Sequence, residues 1–173
     1  MNDHDDNEDE IEFGELTALV IDDDPITVDF IQTLLQSCGM KEIRHARDGS
    51  QAIKVIQSFA PSFIILDHMM EPMDGVEFSR WVRRDAQSLN QYVPIMMLTA
   101  MLDKVSILEA RDAGVNEIVA KPISLDMLEK RLISMMKTHR KFVRSKAYVG
   151  PDRRRREKQR IEKSDRRRID LTE

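Results

Sequence analysis

Short apolar runs alternate with amphipathic segments along most of the chain, and this alternation constrains the fold more than any other feature. Four of the runs are nearly continuous, which is typical of parallel strands covered on both faces. They are residues 16–21, 63–66, 95–98 and 117–120. A weaker run at 41–46 is predicted to be a strand nearer an edge of the sheet.

The segments between these runs have helical periodicity. Ile26, Phe30 and Leu34 recur every four residues, and Ser124 stands where it could cap a last helix. Five strands that alternate with five helices predict an α/β fold of the (βα)5 type. This is a doubly wound, three-layer sandwich around a parallel five-stranded sheet.

Charge is distributed unevenly along the chain. The first 15 residues carry eight acidic side chains and no lysine or arginine, whereas residues 137–173 carry 15 basic and six acidic side chains. Oppositely charged ends around a nearly balanced middle are typical of a folded domain with two tails. We therefore predict a domain at residues 16–142, a disordered acidic tail at 1–15 and a disordered, arginine-rich tail at 143–173.

Length and cysteine content exclude several classes of protein. A chain of 173 residues has room for one compact domain with appendages. Its single cysteine, Cys38, excludes a disulfide within the chain and a structural zinc site. No stretch approaches the ~20 apolar residues of a membrane span, and the acidic N-terminus lacks a hydrophobic signal segment. We therefore expect a cytoplasmic protein without a membrane span.

Polar or charged side chains follow the predicted strands at the points where the strands end. In chain order they are Asp22, Asp23 and Asp24, then Asp67, then Thr99 with Ala100, and finally Lys121 with Pro122. In doubly wound sheets the functional site lies at the carboxyl ends of the strands. Charged groups at these ends are costly unless they pair with one another or bind an ion. The sequence therefore predicts a site at this edge.

Five motifs occur here in a specific order. They are Val20-Ile-Asp22-Asp23-Asp24-Pro25, Ile64-Ile-Leu66-Asp67, the set Met70, Met73, Asp74 and Gly75, then Leu98-Thr99-Ala100, and Ala120-Lys121-Pro122. Together they resemble the receiver domain of two-component response regulators, over about residues 16–140. The resemblance implies a flavodoxin-like strand order of 2-1-3-4-5.

The same resemblance implies a role for each residue. Asp67 would be the phosphoacceptor. Mg²⁺ would be held by Asp22, Asp23, Asp67 and the backbone carbonyl of Met69. Thr99 and Ala100 would form the phosphate-binding switch, Lys121 would bind the phosphoryl group, and Pro122 would follow a cis peptide bond.

By this resemblance the chain is a signalling phosphoacceptor and not an enzyme. Its phosphoryl donor would be a histidine kinase or a phosphotransfer protein. Its output would be binding to a target protein, through the fourth and fifth helices and the strand between them. No DNA-binding domain fits in the ~30 residues after the receiver, on the usual sizes of such domains.

Three positions depart from the usual receiver pattern. Ile118 stands where receivers carry an aromatic residue, so the usual inward movement of a ring behind Thr99 is not possible. Glu71 stands where a proline is often found, with Pro72 displaced by one position. His68 is interpreted as a surface residue without a role.

The alternative to a signalling receiver is that the chain is an enzyme. Asp22 and Asp24, with Thr99 and Lys121 later, partly resemble phosphatases of the haloacid dehalogenase type, in which the first acid is the nucleophile. That family also needs an acidic pair after a further strand. Here the next acids, Asp126 and Glu129, fall on the last predicted helix.

The C-terminal segment contains the unit Asp-Arg-Arg-Arg twice. Arginine can donate two hydrogen bonds to a guanine edge, and aspartate can accept from the opposite edge. Such a tail after a chemotaxis-regulator-like domain resembles the bacterial proteins that bind cyclic di-GMP and act on motility or attachment. The candidate ligand residues are Asp152, Arg153, Arg154, Arg155, Asp165, Arg166, Arg167 and Asp170.

Two other interpretations of the tail remain open. It is too poor in apolar residues to fold by itself and could be a solvated, disordered segment. Its arginines could also form an electrostatic anchor for nucleic acid, anionic lipid or a protein. On the cyclic di-GMP interpretation, the protein would act on the flagellar motor or the attachment machinery.

Overall fold

Five parallel strands form the central sheet of the computed structural model, which describes residues 11–100, 103–138, 140–145 and 147–153. The strands of this sheet are β1 (Thr17–Ile21), β2 (Glu42–Ala46), β3 (Phe63–Asp67), β4 (Ile95–Thr99) and β5 (Glu117–Ala120). The helices are α1 (Pro25–Ser37), α2 (Gly49–Ile56), α3 (Gly75–Arg84), α4 (Lys104–Asp112) and α5 (Leu125–Lys137). Two short strands follow, β6 (Phe142–Arg144) and β7 (Val149–Pro151).

The strand order of the sheet is β2-β1-β3-β4-β5, which confirms the predicted fold class. The weakest run of the sequence, now β2, lies at an edge, as its composition predicted. Neighbouring strands end within one register position of each other: Ile21 pairs with Leu66, Asp67 with Leu98, and Thr99 with Ala120. The residues that follow these strands therefore meet at the carboxyl ends of the strands.

Each face of the sheet is covered by its own set of helices. On one face, Leu66 and Met97 pack with apolar residues of α2, α3 and α4. On the other, Ile65 and Leu98 pack with apolar residues of α1 and α5. Both faces of the central strands are thus buried, which accounts for their nearly continuous apolar sequence.

Side-chain caps begin the helices directly after the strand-end loops. Asp24 accepts hydrogen bonds from the backbone N–H groups of Ile26 and Thr27 at the start of α1. Asp74 and Glu77 form a capping box at the start of α3, and Ser124 caps α5 as predicted. Caps of this kind stabilise a helix by about 0.5–2 kcal/mol each, and they fix the loops that carry the polar residues.

Strands β6 and β7 form an antiparallel hairpin that packs against α3 and the turn between α4 and β5. Its anchor is Arg83, whose side chain is fully buried. The guanidinium donates hydrogen bonds to the carbonyl oxygens of Gly114 and Gln91 and to Asn116 Oδ1, each at 3.0 Å. It also lies 5.4 Å from the centre of the Phe142 ring, in β6.

The hairpin approaches the α4–β5 turn closely. Gly114 has a φ of +88°, and a Cβ atom there would lie 2.9 Å from the Val149 carbonyl oxygen. A Cβ atom on Gly150 would lie 2.8 Å from Gly114 Cα. The Tyr148 hydroxyl is buried and donates to the Pro151 carbonyl at 2.6 Å. Two glycines thus allow the two backbones to meet.

This hairpin corrects the prediction that disorder begins at residue 143. Residues 143–145 and 147–153 are ordered, because they fold against α3 and the α4–β5 turn and not by themselves. Gly150 and Pro151 belong to β7. The division at residues 15 and 142 otherwise remains a prediction, since residues 1–10 and 154–173 lie outside the described residues.

Within the part of the chain that the structure describes, no helix is long and apolar enough to cross a membrane.

Candidate functional site

Three carboxylates meet where β1 and β3 end. Asp22 and Asp23 follow β1, Asp67 ends β3, and one carboxylate oxygen from each lies within 4.8 Å of the others. Asp22 is 4% exposed and Asp67 is 8% exposed, whereas Asp23 is open to solvent. Like charges this close disfavour the ionised state unless cations compensate them.

Lys121 supplies one compensating charge from the end of β5. Its Nζ atom lies 2.7 Å from Asp22 Oδ2 and 2.6 Å from Asp67 Oδ1. Burial acts to lower the pKa of Lys121, but the hydrogen bonds and charges of Asp22 and Asp67 outweigh it and raise that pKa. Lys121 therefore remains charged at neutral pH and links the ends of three strands.

One ammonium group does not balance three carboxylates. Burial raises the pKa of Asp22, and the charge of Asp67 adds to this, although the Lys121 and Asp24 hydrogen bonds act in the opposite direction. The cluster therefore favours a further cation. It offers only oxygen ligands and is exposed at Asp23, which suits Mg²⁺, because this ion prefers oxygen and keeps several waters.

The loop after Asp67 carries a further predicted ligand. The Met69 N–H donates to Asp67 Oδ2 at 2.9 Å, which turns the loop back toward the carboxylate. The Met69 side chain is largely exposed. The predicted use of its carbonyl as a metal ligand stays a prediction.

We expect Asp23→Asn to weaken Mg²⁺ binding by more than tenfold, because it removes the most accessible negative charge of the cluster. Isothermal titration calorimetry measures the affinity. Asp24→Asn is the matched control, since Asp24 lies outside the cluster and asparagine caps a helix about as well as aspartate. Equal losses of affinity in the two variants would contradict the assignment of Asp23.

The hydroxyl of Thr99 lies at the end of β4, beside the acid cluster. Thr99 is buried, and its Oγ1 atom lies 3.2 Å from Nδ1 of His68. Ala100, which follows it, is exposed, and Ile118 packs half-buried against the core on the face of α2, α3 and α4. The structure thus brings Thr99 together with His68.

The interpretation of His68 as a surface residue is wrong, because the residue is 7% exposed. The sequence held a signal that could have shown this. His68 follows Leu66 by two residues, and side chains two apart on a strand point to the same face. Since Leu66 belongs to the core, His68 continues a buried row past the end of β3.

In the described parts of the loops at the carboxyl ends of the strands, two peptide bonds are cis. The Lys121–Pro122 bond is cis, and so is the Glu71–Pro72 bond, which the sequence did not suggest. Gly75 closes the second loop, because its N–H donates to the His68 carbonyl and a Cβ atom on it would overlap the Asp67 carbonyl oxygen.

Two of the tail candidates belong to the described residues, and neither of them is part of the acid cluster. Asp152 and Arg153 end the described chain beside α4, where Arg153 lies 2.9 Å from Asp112 Oδ1 and 3.8 Å from the centre of the Tyr148 ring. The other candidates lie outside the described residues: Arg154, Arg155, Asp165, Arg166, Arg167 and Asp170.

Comparisons with known sequences agree with this geometry. The family model described as "Response regulator receiver domain" matches residues 18–133. The chemotaxis protein CheY of Pseudomonas aeruginosa is 32% identical over 117 residues, which make up 68% of this chain and 93% of that protein.

Solved structures give the same result. A response regulator described as putative, from Chloroflexus aurantiacus, is 28% identical and superposes with a TM-score of 0.65, covering 71% of this chain and 98% of that one. The receiver domain of the sensor histidine kinase PA1611 from Pseudomonas aeruginosa is 25% identical, with a TM-score of 0.64 and the same coverage. That domain was solved with a magnesium ion coordinated in its active-site cleft.

Proposed function

The chain belongs to the response regulator receiver family, and we propose that it is a cytoplasmic signalling protein that accepts a phosphoryl group on Asp67. It acts as a phosphoacceptor and not as an enzyme, and its output is binding to another protein. The observation that carries this proposal is the position of the Asp67 carboxylate, which contacts the Lys121 ammonium and clusters with the carboxylates of Asp22 and Asp23.

The reaction needs an ionised acceptor and charge compensation. An oxygen of Asp67 attacks the phosphorus of a phosphohistidine, so that a P–N bond breaks and a P–O bond forms. Lys121 Nζ, 2.6 Å from Asp67 Oδ1, is close enough to neutralise an oxygen of the transferred group. Mg²⁺, when bound by Asp22, Asp23 and Asp67, supplies further charge neutralisation to the phosphoryl oxygens.

Direct phosphorylation tests this proposal. We expect a small phosphodonor such as acetyl phosphate to modify the full chain only when Mg²⁺ is present. Intact-mass spectrometry detects the modification, and peptide mapping locates it. A label on Asp22 would instead support the phosphatase alternative, in which that acid is the nucleophile.

A groove beside Lys121 is the place we propose for docking of a histidine kinase or phosphotransfer protein. It has a volume of about 320 Å³ and lies between α1 and the loop before α5, with Phe30, Lys121 and Pro122 among its lining residues. Ile26, one turn before Phe30, is 77% exposed, and Phe30 is 47% exposed. Two of the three residues that predicted an apolar helix stripe, Ile26 and Phe30, thus face solvent next to the acceptor site, whereas Leu34 is buried.

We expect Phe30→Ala to slow phosphotransfer from a phosphorylated histidine phosphotransfer protein by about tenfold, because truncating a central aromatic anchor costs more than ~1 kcal/mol. The rate with acetyl phosphate should not change, since that donor needs no docking surface. The test uses any phosphotransfer protein that phosphorylates the wild-type chain. Equal slowing with both donors would contradict a docking role.

For the C-terminal segment we propose binding of cyclic di-GMP as a second input, with the flagellar motor or the attachment machinery as possible targets. The repeated Asp-Arg-Arg-Arg unit supports this, as does the pair Arg167 and Asp170. A cavity of about 390 Å³ beside Asp152 and Arg153 supports it further, because Arg111 and Arg140 also line it.

We expect cyclic di-GMP to bind the full chain in calorimetry, and Asp170→Ala to weaken binding by about 1–3 kcal/mol, because the guanine edge would lose its acceptor. Arg167→Lys should also bind less well, since lysine lacks the planar fork of donors. If charge alone matters, Asp170→Ala binds equally well or better, and the segment is an electrostatic anchor.

A further inference from the structure

His68 has no part in the reaction proposed above, yet the structure buries it beside the acceptor. Its Nδ1 atom lies 3.2 Å from the Thr99 hydroxyl oxygen. Its backbone is fixed on both sides, because its N–H donates to the Leu98 carbonyl and its carbonyl accepts from the Gly75 N–H. The ring therefore holds a defined position next to Thr99.

The two side chains continue one row of the sheet. Leu66 and Met97 belong to the core on the face of α2, α3 and α4, and His68 and Thr99 each follow two residues later. Ile118 pairs with Met97 in the sheet, so it lies two residues further than Thr99 from the carboxyl ends of the strands. Its aliphatic side chain has no group that could hydrogen-bond a hydroxyl, whereas the imidazole of His68 has two nitrogens that can.

Building on the proposed function, we propose that His68 is a positioning residue that holds the Thr99 hydroxyl until Asp67 is phosphorylated. A threonine hydroxyl has a single proton to donate. The 3.2 Å contact allows either partner to donate, and we assign the tautomer in which Nδ1 of His68 is the acceptor. In that tautomer Thr99 cannot at the same time donate its proton to a phosphoryl oxygen on Asp67. Phosphorylation must therefore draw the hydroxyl away from His68.

This exchange couples the acceptor to the output side of the domain. Thr99 is the last residue of β4, and α4 begins at Lys104. A change in the partner of Thr99 thus occurs at the start of the connection that leads to α4. This exchange does not require an aromatic residue at the position of Ile118, where receivers usually carry one.

Two substitutions separate hydrogen bonding from packing. His68→Phe keeps a planar ring but removes the acceptor, whereas His68→Asn keeps a polar atom close to the position of Nδ1. We expect His68→Phe to bind beryllofluoride, at saturating Mg²⁺, roughly three- to tenfold more tightly than wild type, the size of one hydrogen bond. His68→Asn should remain within about twofold of wild type, because it retains that bond.

A double-mutant cycle gives the decisive readout. In a Thr99→Ala background, His68→Phe should have no effect on beryllofluoride affinity, since the hydroxyl is absent. Equal effects in both backgrounds, or weaker binding by His68→Phe, would overturn the proposal. If His68→Phe does not fold, His68→Leu removes the same acceptor and replaces it in the cycle.

A second measurement needs no ligand. The exchange of the Thr99 hydroxyl proton with water in the unphosphorylated, Mg²⁺-free protein should be faster in His68→Phe and close to wild type in His68→Asn, because only the first variant loses the acceptor, and equal rates in both would overturn the proposal. Wild-type protein that fails to bind beryllofluoride with Mg²⁺ would overturn the proposed function itself. If the wild-type protein binds beryllofluoride but the effects of His68→Phe and Thr99→Ala on its affinity simply add, only the proposed role of His68 is overturned.

Discussion

Asp67→Asn is expected to abolish phosphorylation by acetyl phosphate and by protein donors, while leaving the fold intact. An amide is not a nucleophile toward phosphorus, so the acceptor is lost completely. Its single amide oxygen can replace only one of the two acceptors, Oδ1 toward Lys121 or Oδ2 toward the Met69 N–H. The variant also removes one of three clustered negative charges, so thermal stability should be equal to that of wild type or higher.

Asp74→Asn is the matched control for this substitution. Asp74 lies seven residues later, on the same connection, and its role is to cap α3. Asparagine and aspartate cap helices about equally well, so this variant should be phosphorylated like wild type. Full modification of Asp67→Asn, measured by intact-mass spectrometry, would refute the assignment of the acceptor.

Arg83→Met is expected to lower the free energy of unfolding by about 3–5 kcal/mol, since each buried acceptor left without a donor costs about 1–3 kcal/mol. The acceptors that lose their donor are the backbone carbonyls of Gly114 and Gln91, whereas Asn116 Oδ1 loses Arg83 but keeps the Ile95 N–H. Burial lowers the pKa of the Arg83 guanidinium to about 9, so it is still charged at pH 7. Methionine fills part of the volume but satisfies none of these groups.

Urea unfolding of Arg83→Met and Arg80→Met compares two arginines of the same helix. Arg80 is exposed, and surface substitutions of this kind usually change stability by less than ~0.5 kcal/mol. Arg83→Lys should lie between them, because lysine keeps the charge but cannot donate in three fixed directions. Equal stability of the Arg83→Met and Arg80→Met proteins would refute the role of Arg83 as an anchor.

The sheet could be predicted from the sequence because its strands are buried on both faces and therefore stand out as apolar runs. The weaker run at residues 41–46 predicted a strand near an edge of the sheet, and β2 is an edge strand. The hairpin could not be predicted in this way. Its strands are three residues each, and its anchor, Arg83, is of a residue type that is almost never fully buried.

The acid cluster and Lys121 could be predicted to meet, because parallel strands bring their carboxyl ends to one edge. The burial of His68 was missed, since a polar residue next to a loop suggests exposure. Its place depends on the backbone bonds to Leu98 and Gly75, which the sequence alone does not reveal. Likewise, periodicity placed Ile26 and Phe30 on a helix but could not show that they face solvent.

The hairpin fixes where the remaining chain starts. Without it, residues 154–173 would begin at the end of α5. Because Tyr148 and Pro151 are buried and Gly150 meets Gly114, those residues begin instead beside Asp112, at the last turn of α4. A binding element joined at this point belongs to the same molecule as α4, so its contacts with α4 are intramolecular. Encounters of the tail with the α4 surface would therefore be nearly independent of how much of the protein a cell contains.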